Sequence, residues 1–490
     1  MNPRAAIPAR PHALVQAVGP VIWPLVLLVV TRAALWLAQP FASEDAYITF
    51  RYASMLIRGE GLVYNPGEHV MGFTSLPWTL WCGLGALLHI DLVGWTRATT
   101  LLADACTLVI GTQLLRRAFS PAAGLSFAVF FAGWPLFAAG AMSGLEVNVV
   151  VAALLVTTAL IGARHPAAGV ALGVFALLRP ECLPAALVLA LGARGRDRAI
   201  AAVIVGLALL WLTFRFGSPI PQSVLAKAEI YGTPGPWAGR HWWEWLLPFR
   251  PGRFSVTTEG QHLELLAVVF AAALAAGAVK MWRARREPIV LAAAAGLGVW
   301  LSYVLLGVAY FWWYLVLPLA ALALVASAGF PAIARGRWLP VSAVLFVCGA
   351  WTLGFPLYVG RAQAEAREFA SVAEYMKQAV TPGDEVVLEP IGMIGFRAPV
   401  RVTDEIGLVS PDVARRRLGG PGWYADIVRL HAPRWLVIRP ELLTSGEVFA
   451  GEGAPFRSDA ERARLFQDYV QAWPVPTASV ATLLVLRRTP

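Results

Sequence analysis

Two acidic side chains stand together at Glu44-Asp45, heading the stretch Glu44-Asp45-Ala46-Tyr47-Ile48-Thr49-Phe50-Arg51-Tyr52. Two chemistries are open to such a pair. Carboxylates in a first helical turn cap free backbone N–H groups and favour the positive end of the helix dipole. A carboxylate beside a bound hydroxyl acts as a general base. Further along, Arg179-Pro180-Glu181 lies between two short apolar runs, 167–178 and 182–193. An ionisable group in that setting marks a functional site, unless it serves only a local pair with Glu181 or Glu146. His241 and His262 have the donors to meet a phosphate, but no clustered partners, which argues against zinc. The four cysteines, Cys82, Cys106, Cys182 and Cys348, show no CxxC spacing and read as packing residues.

The elements that must hold these groups follow from composition. The chain has 490 residues, 58 % hydrophobic and 14 % charged, with a net charge of +10. Soluble domains carry about 25 % charged residues, and disorder needs low hydrophobicity, so both classes are excluded. A polytopic α-helical membrane protein remains. The charge is uneven. Residues 361–490 hold 16 Lys+Arg and 16 Asp+Glu, whereas residues 1–360 hold 24 against 14. This divides the chain into a membrane domain, 1–360, and a soluble domain, 361–490. Because the excess lies in the membrane half, nucleic acid is not needed to explain it.

Apolar runs mark spans near 20–38, 97–115, 120–140, 147–163, 199–216, 263–281, 288–306, 315–330 and 340–358. With the two short runs, which are expected to be broken or tilted helices, about 11 transmembrane helices result. A cytoplasmic N-terminus then places Arg4/Arg10, Arg116-Arg117, Arg164, Arg194/Arg196/Arg198, Lys280/Arg283/Arg285/Arg286 and Arg335/Arg337 all inside. Segments 39–95, 141–146, 217–262 and 307–314 fall outside, as does the soluble domain. The first run is long and lacks a small-residue cleavage pattern, so it is expected to remain as a span. A crossing at 76–90 would put Arg116-Arg117 outside, so that stretch reads as an interfacial or re-entrant helix. The helix from Glu44 has amphipathic spacing and is expected along the membrane surface. Trp237, Trp242, Trp243 and Trp245 read as interfacial anchors, with sugar stacking or a lid as the alternative; Tyr310-Phe311-Trp312-Trp313-Tyr314 reads the same way. The soluble domain reads as α/β, with a helix at 361–379 and buried strands at 385–389, 435–438 and 482–486. Asp404 reads as a turn or strand-end residue, with a place facing the site cavity as the alternative.

Glu44-Asp45-Ala46-Tyr47-Ile48 with Phe50-Arg51-Tyr52-Ala53, then Gly61-Leu62-Val63-Tyr64-Asn65-Pro66-Gly67-Glu68 and Phe73-Thr74-Ser75-Leu76-Pro77-Trp78, resembles the first outer loop of bacterial GT-C glycosyltransferases. Ser143-Gly144-Leu145-Glu146, Leu178-Arg179-Pro180-Glu181, Pro219-Ile220-Pro221-Gln222-Ser223 with Ala226-Lys227, and Ile391-Gly392 with Val402-Thr403-Asp404 and Gly407-Leu408 agree in order along the chain. The likeness is strongest to the mycobacterial terminal arabinofuranosyltransferases. It is more distant to protein O-mannosyltransferases and the aminoarabinose transferase of lipid A.

The resemblance implies an inverting transferase of the bacterial plasma membrane. It would move a sugar, arabinofuranose in the nearest likeness, from a polyprenyl-phosphate carrier to a glycan, glycolipid or protein acceptor outside the cytoplasm. The family's acidic pair is commonly Asp-Asp or Asp-Glu; here it is Glu-Asp, so either Asp45 or Glu44 is the expected base. Arg51, Arg179 and Lys227 are the expected ligands of the donor phosphate, with a solvated loop lysine the alternative for Lys227. Glu146, Glu181, Tyr47 and His241 are the expected acceptor or sugar ligands, with a helix N-terminal carboxylate the alternative for Glu146. No divalent metal is expected, since Arg and Lys suffice for the carrier phosphate. A flippase of lipid-linked sugars would need a similar charged cavity, although no inverted repeat is apparent. A structural subunit of an envelope complex is the third reading.

Overall fold

A computed structural model describes residues 21–230, 264–306, 308, 311–334, 364–444, 453–473 and 483–489. The apolar runs form helices, because a backbone in lipid must satisfy its own polar groups. They are α1 (Ile22–Ala38), α2 (Glu44–Ile57), α3 (Leu76–Leu87), α4 (Leu92–Ala118), α5 (Pro121–Gly133), α6 (Pro135–Met142), α7 (Val147–Gly162), α8 (Ala168–Leu178) and α9 (Cys182–Ala190). Then come α10 (Gly195–Phe216), α11 (Gln222–Ile230), α12 (Glu264–Arg283), α13 (Pro288–Leu305) and α14 (Val316–Gly329). The chain is a multi-pass membrane protein. Among the described residues, four helical stretches are long and apolar enough to cross alone: α4, α10, α13 and Trp312–Ala332. The expected run 120–140 is instead two helices, α5 and α6, bent by 54°. Runs 167–178 and 182–193 are the short helices α8 and α9, meeting at Arg179-Pro180-Glu181. The expected span 340–358 lies outside the described residues.

The bend has a local cause and a tertiary repair. Pro135 has no N–H, so the carbonyls at the end of α5 lose helical partners. Arg32 and Thr31 of α1 supply them: Arg32 Nη1 donates to Ala132 O at 2.6 Å and Thr31 Oγ1 donates to the same oxygen at 2.8 Å. Arg32 Nε donates to Asp104 Oδ2 at 2.8 Å, and Asn148 Nδ2 donates to Asp104 Oδ1 at 2.7 Å. This buried charge pair therefore holds a broken helix. Cys82 and Cys182 are buried, but Cys106 lies on the exposed face of α4, a correction to the packing role expected of it.

From residue 364 the chain forms a helix α15 (364–379), then β1 (Glu385–Leu388), α16 (Ile391–Arg397), β2 (Arg401–Asp404), α17 (Pro411–Leu418), α18 (Trp423–His431), β3 (Trp435–Ile438), α19 (Asp459–Phe466), β4 (Tyr469–Gln471) and β5 (Leu484–Arg488). The strands make one sheet in the order β2-β1-β3-β5-β4. β1 pairs in parallel with β2 and β3, while β5 runs antiparallel to β3 and β4. Val386, Val387 and Leu388 of β1 and all of β3 are buried, as continuous apolar strands with both faces covered should be.

The loop after α2 closes the β2 edge of this sheet. Asn65 acts as a strand partner: its Nδ2 donates to Val402 O at 2.8 Å, and its Oδ1 accepts from Val402 N at 3.0 Å. The apolar face of α2, expected to rest on lipid, is instead covered by protein. Tyr47 and Phe50 pack on Phe396 of α16, with ring centroids 5.7 Å and 6.0 Å apart. A free amphipathic face is satisfied equally by lipid or by a second apolar surface, and here the second surface is present.

Candidate functional site

The site begins where α2 meets α11. α2 starts at Glu44, and its N-terminal residue Ser43 makes no side-chain cap. Lys227 on α11 donates to Asp45 Oδ2 at 2.9 Å. Asp45 keeps 29 % of its side-chain exposure and Lys227 keeps 15 %, so both remain open to a ligand. The Lys227 ammonium also lies over the rings of Phe311, at 4.8 Å, and Trp313, at 5.5 Å. Burial alone would lower the Lys227 pKa, but Asp45 and Tyr314 together outweigh it and raise it above the usual lysine range. The ammonium is therefore charged at neutral pH.

Arg179 forms the second centre, in the turn between α8 and α9. Its Nη1 donates to Glu146 Oε1 at 2.6 Å and its Nε donates to Glu181 Oε1 at 2.5 Å. Tyr303 Oη, from α13, donates to Glu181 Oε1 at 2.7 Å. The guanidinium lies 5.5 Å from the Tyr314 ring. Tyr314 in turn sits 5.3 Å from Tyr303 and 5.8 Å from Phe311, ring to ring. The run Phe311–Tyr314 thus bridges the Lys227 and Arg179 centres. Asp45, Glu146, Arg179 and Lys227 come from four separate chain segments, and they converge.

Other expected residues are placed differently. Arg51, expected to hold a phosphate, is a buried strut: Nε donates to Tyr64 O at 2.8 Å, Nη1 to Gly395 O at 2.5 Å and Nη2 to Val400 O at 2.6 Å. Its donors are occupied by protein carbonyls. Tyr47, expected to touch sugar, is 2 % exposed, and its oxygen accepts from Ala42 N at 3.4 Å. Glu146 and Glu181 grip Arg179 rather than standing free. His241 lies outside the described residues, as do His262 and the expected Trp237–Trp245 cluster.

Glu44 turns away from Lys227. Its Oε1 accepts from Gly392 N at 2.5 Å and from Met393 N at 3.1 Å, and its Oε2 accepts from Met393 N at 3.1 Å. Burial, with smaller contributions from Asp45 and Glu389, pushes the Glu44 carboxyl up to about 8 against these backbone bonds. Asp404, at the end of β2, accepts from Ile406 N at 2.8 Å, Val409 N at 3.1 Å and also Leu408 N. That is the strand-end role expected of it. The chain read as an acid pair has therefore split into one open carboxylate and one buried one.

Sequence reasoning did not find Tyr303. A hydroxyl-bearing aromatic inside an apolar run was the available signal. Among the described residues, no three His, Cys, Asp or Glu side chains are arranged to hold a metal ion.

Residues 358–483 match the family model described as Domain of unknown function (DUF8728). No curated protein matches the chain. Among solved structures, it is similar to ArnT from Cupriavidus metallidurans bound to undecaprenyl phosphate, with 12 % identity and a TM-score of 0.60 over 96 % of this chain and 98 % of that one. It is also similar to the Archaeoglobus fulgidus oligosaccharyltransferase tethered with an acceptor peptide, with 13 % identity and a TM-score of 0.57, covering 93 % and 72 %. The archaeal AglB from the same organism, in complex with an inhibitory peptide and a dolichol-phosphate, aligns with 11 % identity and a TM-score of 0.54, covering 88 % and 70 %. The chain has the fold of these proteins, the GT-C fold.

Proposed function

We propose that this protein is an inverting glycosyltransferase that uses a polyprenyl-phosphate sugar. Asp45 is the general base, and Lys227 and Arg179 hold the donor phosphate. The observation that carries the reading is the Asp45–Lys227 contact, which puts a carboxylate and an ammonium side by side on an accessible surface. In the reaction, the acceptor hydroxyl oxygen attacks the anomeric carbon while its proton passes to Asp45. The bond from that carbon to the phosphate oxygen breaks, and the phosphate leaves with the electron pair. Lys227 and Arg179 stabilise the charge gathering there. An incoming phosphate competes with Asp45 for Lys227. Donor binding therefore releases the carboxylate that the acceptor needs, and the donor binds first. The half-buried rings of Phe311, Trp313 and Tyr314 offer a stacking face for the sugar.

The topology reading is supported by the same geometry. The segments assigned outside by the Lys and Arg distribution contribute Asp45, Glu146, Lys227 and the 311–314 rings, and these meet in one place. The site then faces the outer side of a bacterial plasma membrane, with the N-terminus in the cytoplasm and the region after residue 360 outside it. The fold neighbours that bind undecaprenyl phosphate and dolichol-phosphate support a polyprenyl carrier. The sugar is a hexose or a pentose, with arabinofuranose the first to test. The acceptor is a glycan, glycolipid or protein.

The test is transfer by the purified protein from a panel of polyprenyl-phosphate sugars, read as release of polyprenyl phosphate. Release that depends on acceptor and on Asp45 is expected. Translocation of the intact lipid-linked sugar across vesicles, without release, would replace the enzyme by a flippase.

A further inference from the structure

In the run Ile391-Gly392-Met393-Ile394-Gly395 the leading backbone N–H groups are already in use. Two of them meet Glu44. The helix α16 approaches the first outer loop so closely that a side chain does not fit. A Cβ on Gly392 would lie 2.0 Å from Glu44 O, and one on Gly395 would lie 2.0 Å from Tyr64 Oη and 3.0 Å from Arg51 Nη1. Tyr64 Oη donates to Ile391 O at 2.6 Å, and Arg51 Nη1 donates to Gly395 O at 2.5 Å. The same seven-residue helix is thus held at both ends by α2 and the loop behind it. Glu44 is the immediate neighbour of Asp45, within the first turn of α2.

We propose that Glu44 is a positioning residue: it binds Gly392 N–H and Met393 N–H, and this contact sets the first turn of α2 and the aim of the Asp45 carboxylate. The region after residue 364 is then part of the machinery that orients the base, in addition to any acceptor contact it makes. The inference rests on Asp45 being the base. The physical reason is that a helix start without a side-chain cap frays easily. A misplacement of ~1 Å at a reacting group costs about 10²-fold in rate.

The test separates reach from proton transfer. Glu44→Gln keeps the carbonyl oxygen that accepts both N–H bonds and loses the ability to take up a proton. Glu44→Asp keeps the titratable carboxyl group and draws it back by one methylene. Positioning predicts that Glu44→Gln keeps kcat within about threefold, whereas Glu44→Asp loses about tenfold or more, with donor KM unchanged in both. Gly392→Ala should reproduce the Glu44→Asp loss without touching Asp45, Lys227 or Arg179. Amide exchange at Gly392 and Met393 in the full-length protein should be fast in Glu44→Asp and protected in Glu44→Gln. The reverse order, with Glu44→Asp active and Glu44→Gln inactive, would make Glu44 the proton acceptor and overturn the proposal. Equal wild-type rates in both would overturn it as well. If the wild type itself transfers no sugar, the functional reading fails, while the exchange data still decide whether Glu44 holds α16.

Discussion

The ammonium of Lys227 lies 2.9 Å from Oδ2 of Asp45, across 182 positions of sequence. Each group neutralises the other. On the proposed mechanism this contact holds Asp45 until a donor phosphate competes for Lys227.

Asp45→Asn removes the proposed proton acceptor and preserves the shape. The turnover should fall by about 10²–10⁴-fold, the usual range for a general base. Polyprenyl-phosphate binding should persist or tighten, because Lys227 loses its internal competitor. Lys227→Ala should do the opposite and weaken that binding. Lipid titration of both variants checks the pair; weaker binding in Asp45→Asn would rule out the exchange.

Arg179 holds two buried carboxylates at once. Lysine cannot reproduce the fork that spans Glu146 and Glu181. Removing one partner of a buried charge pair costs about 3–5 kcal/mol. Arg179→Ala should therefore lower the thermal midpoint and raise donor KM together. Glu181→Gln should be milder, since Tyr303 still has an oxygen to bond. An unchanged midpoint in Arg179→Ala would show that the cluster does not hold its carboxylates through that residue.

Arg51 should behave as a structural residue. Its guanidinium bonds Tyr64 O, Gly395 O and Val400 O, all in the join between the loop after α2 and the α/β region. Arg51→Ala strands these buried carbonyls, at about 1–3 kcal/mol for each group left unsatisfied. Loss of thermal stability, with activity falling only through the folded fraction, is the expected result. Donor KM rising in fully folded Arg51→Ala would restore the phosphate role.

His431 supplies a pH test away from the site. Its ring nitrogens lie 2.7 Å from Glu385 Oε1 and 2.8 Å from Asp412 Oδ2, and Thr403 Oγ1 also bonds Glu385 at 2.7 Å. Hydrogen bonds to Asp412 and then Glu385 raise the imidazole to about 9. The folded pKa lies above the unfolded value of ~6.5, so the stabilisation is complete below that value. It is lost as pH rises through about 9. The thermal midpoint should drop between those limits in the wild type, and His431→Gln should flatten the drop. An equal drop in both would place its origin elsewhere.

Much of this molecule was legible in its residues. Apolar runs and their basic flanks locate helices, since lipid forbids unsatisfied backbone and cytoplasmic loops collect Lys and Arg. The short runs around Arg179 were readable for the same reason: 11 and 9 residues do not cross a bilayer. The strands around Val386 and Leu436 were legible as buried apolar runs, whereas the edge strands β2 and β4 were not, because Arg401-Val402-Thr403-Asp404 and Tyr469-Val470-Gln471 contain no apolar run.

The sequence by itself determined which groups had chemistry to offer: a pair of acids, an arginine between broken helices, and a lysine after a proline turn. It held no information that separated Glu44 from Asp45, because neighbouring residues share composition and differ only in direction. Successive positions on a helix point about 100° apart, so one carboxylate faces α16 and the other faces Lys227. Arg51 was misread on the same ground, since a guanidinium serves carbonyls and phosphates alike, and only the carbonyls of Gly395 and Val400 decide between them. Those partners lie more than three hundred residues away, and tertiary structure alone brings them within reach.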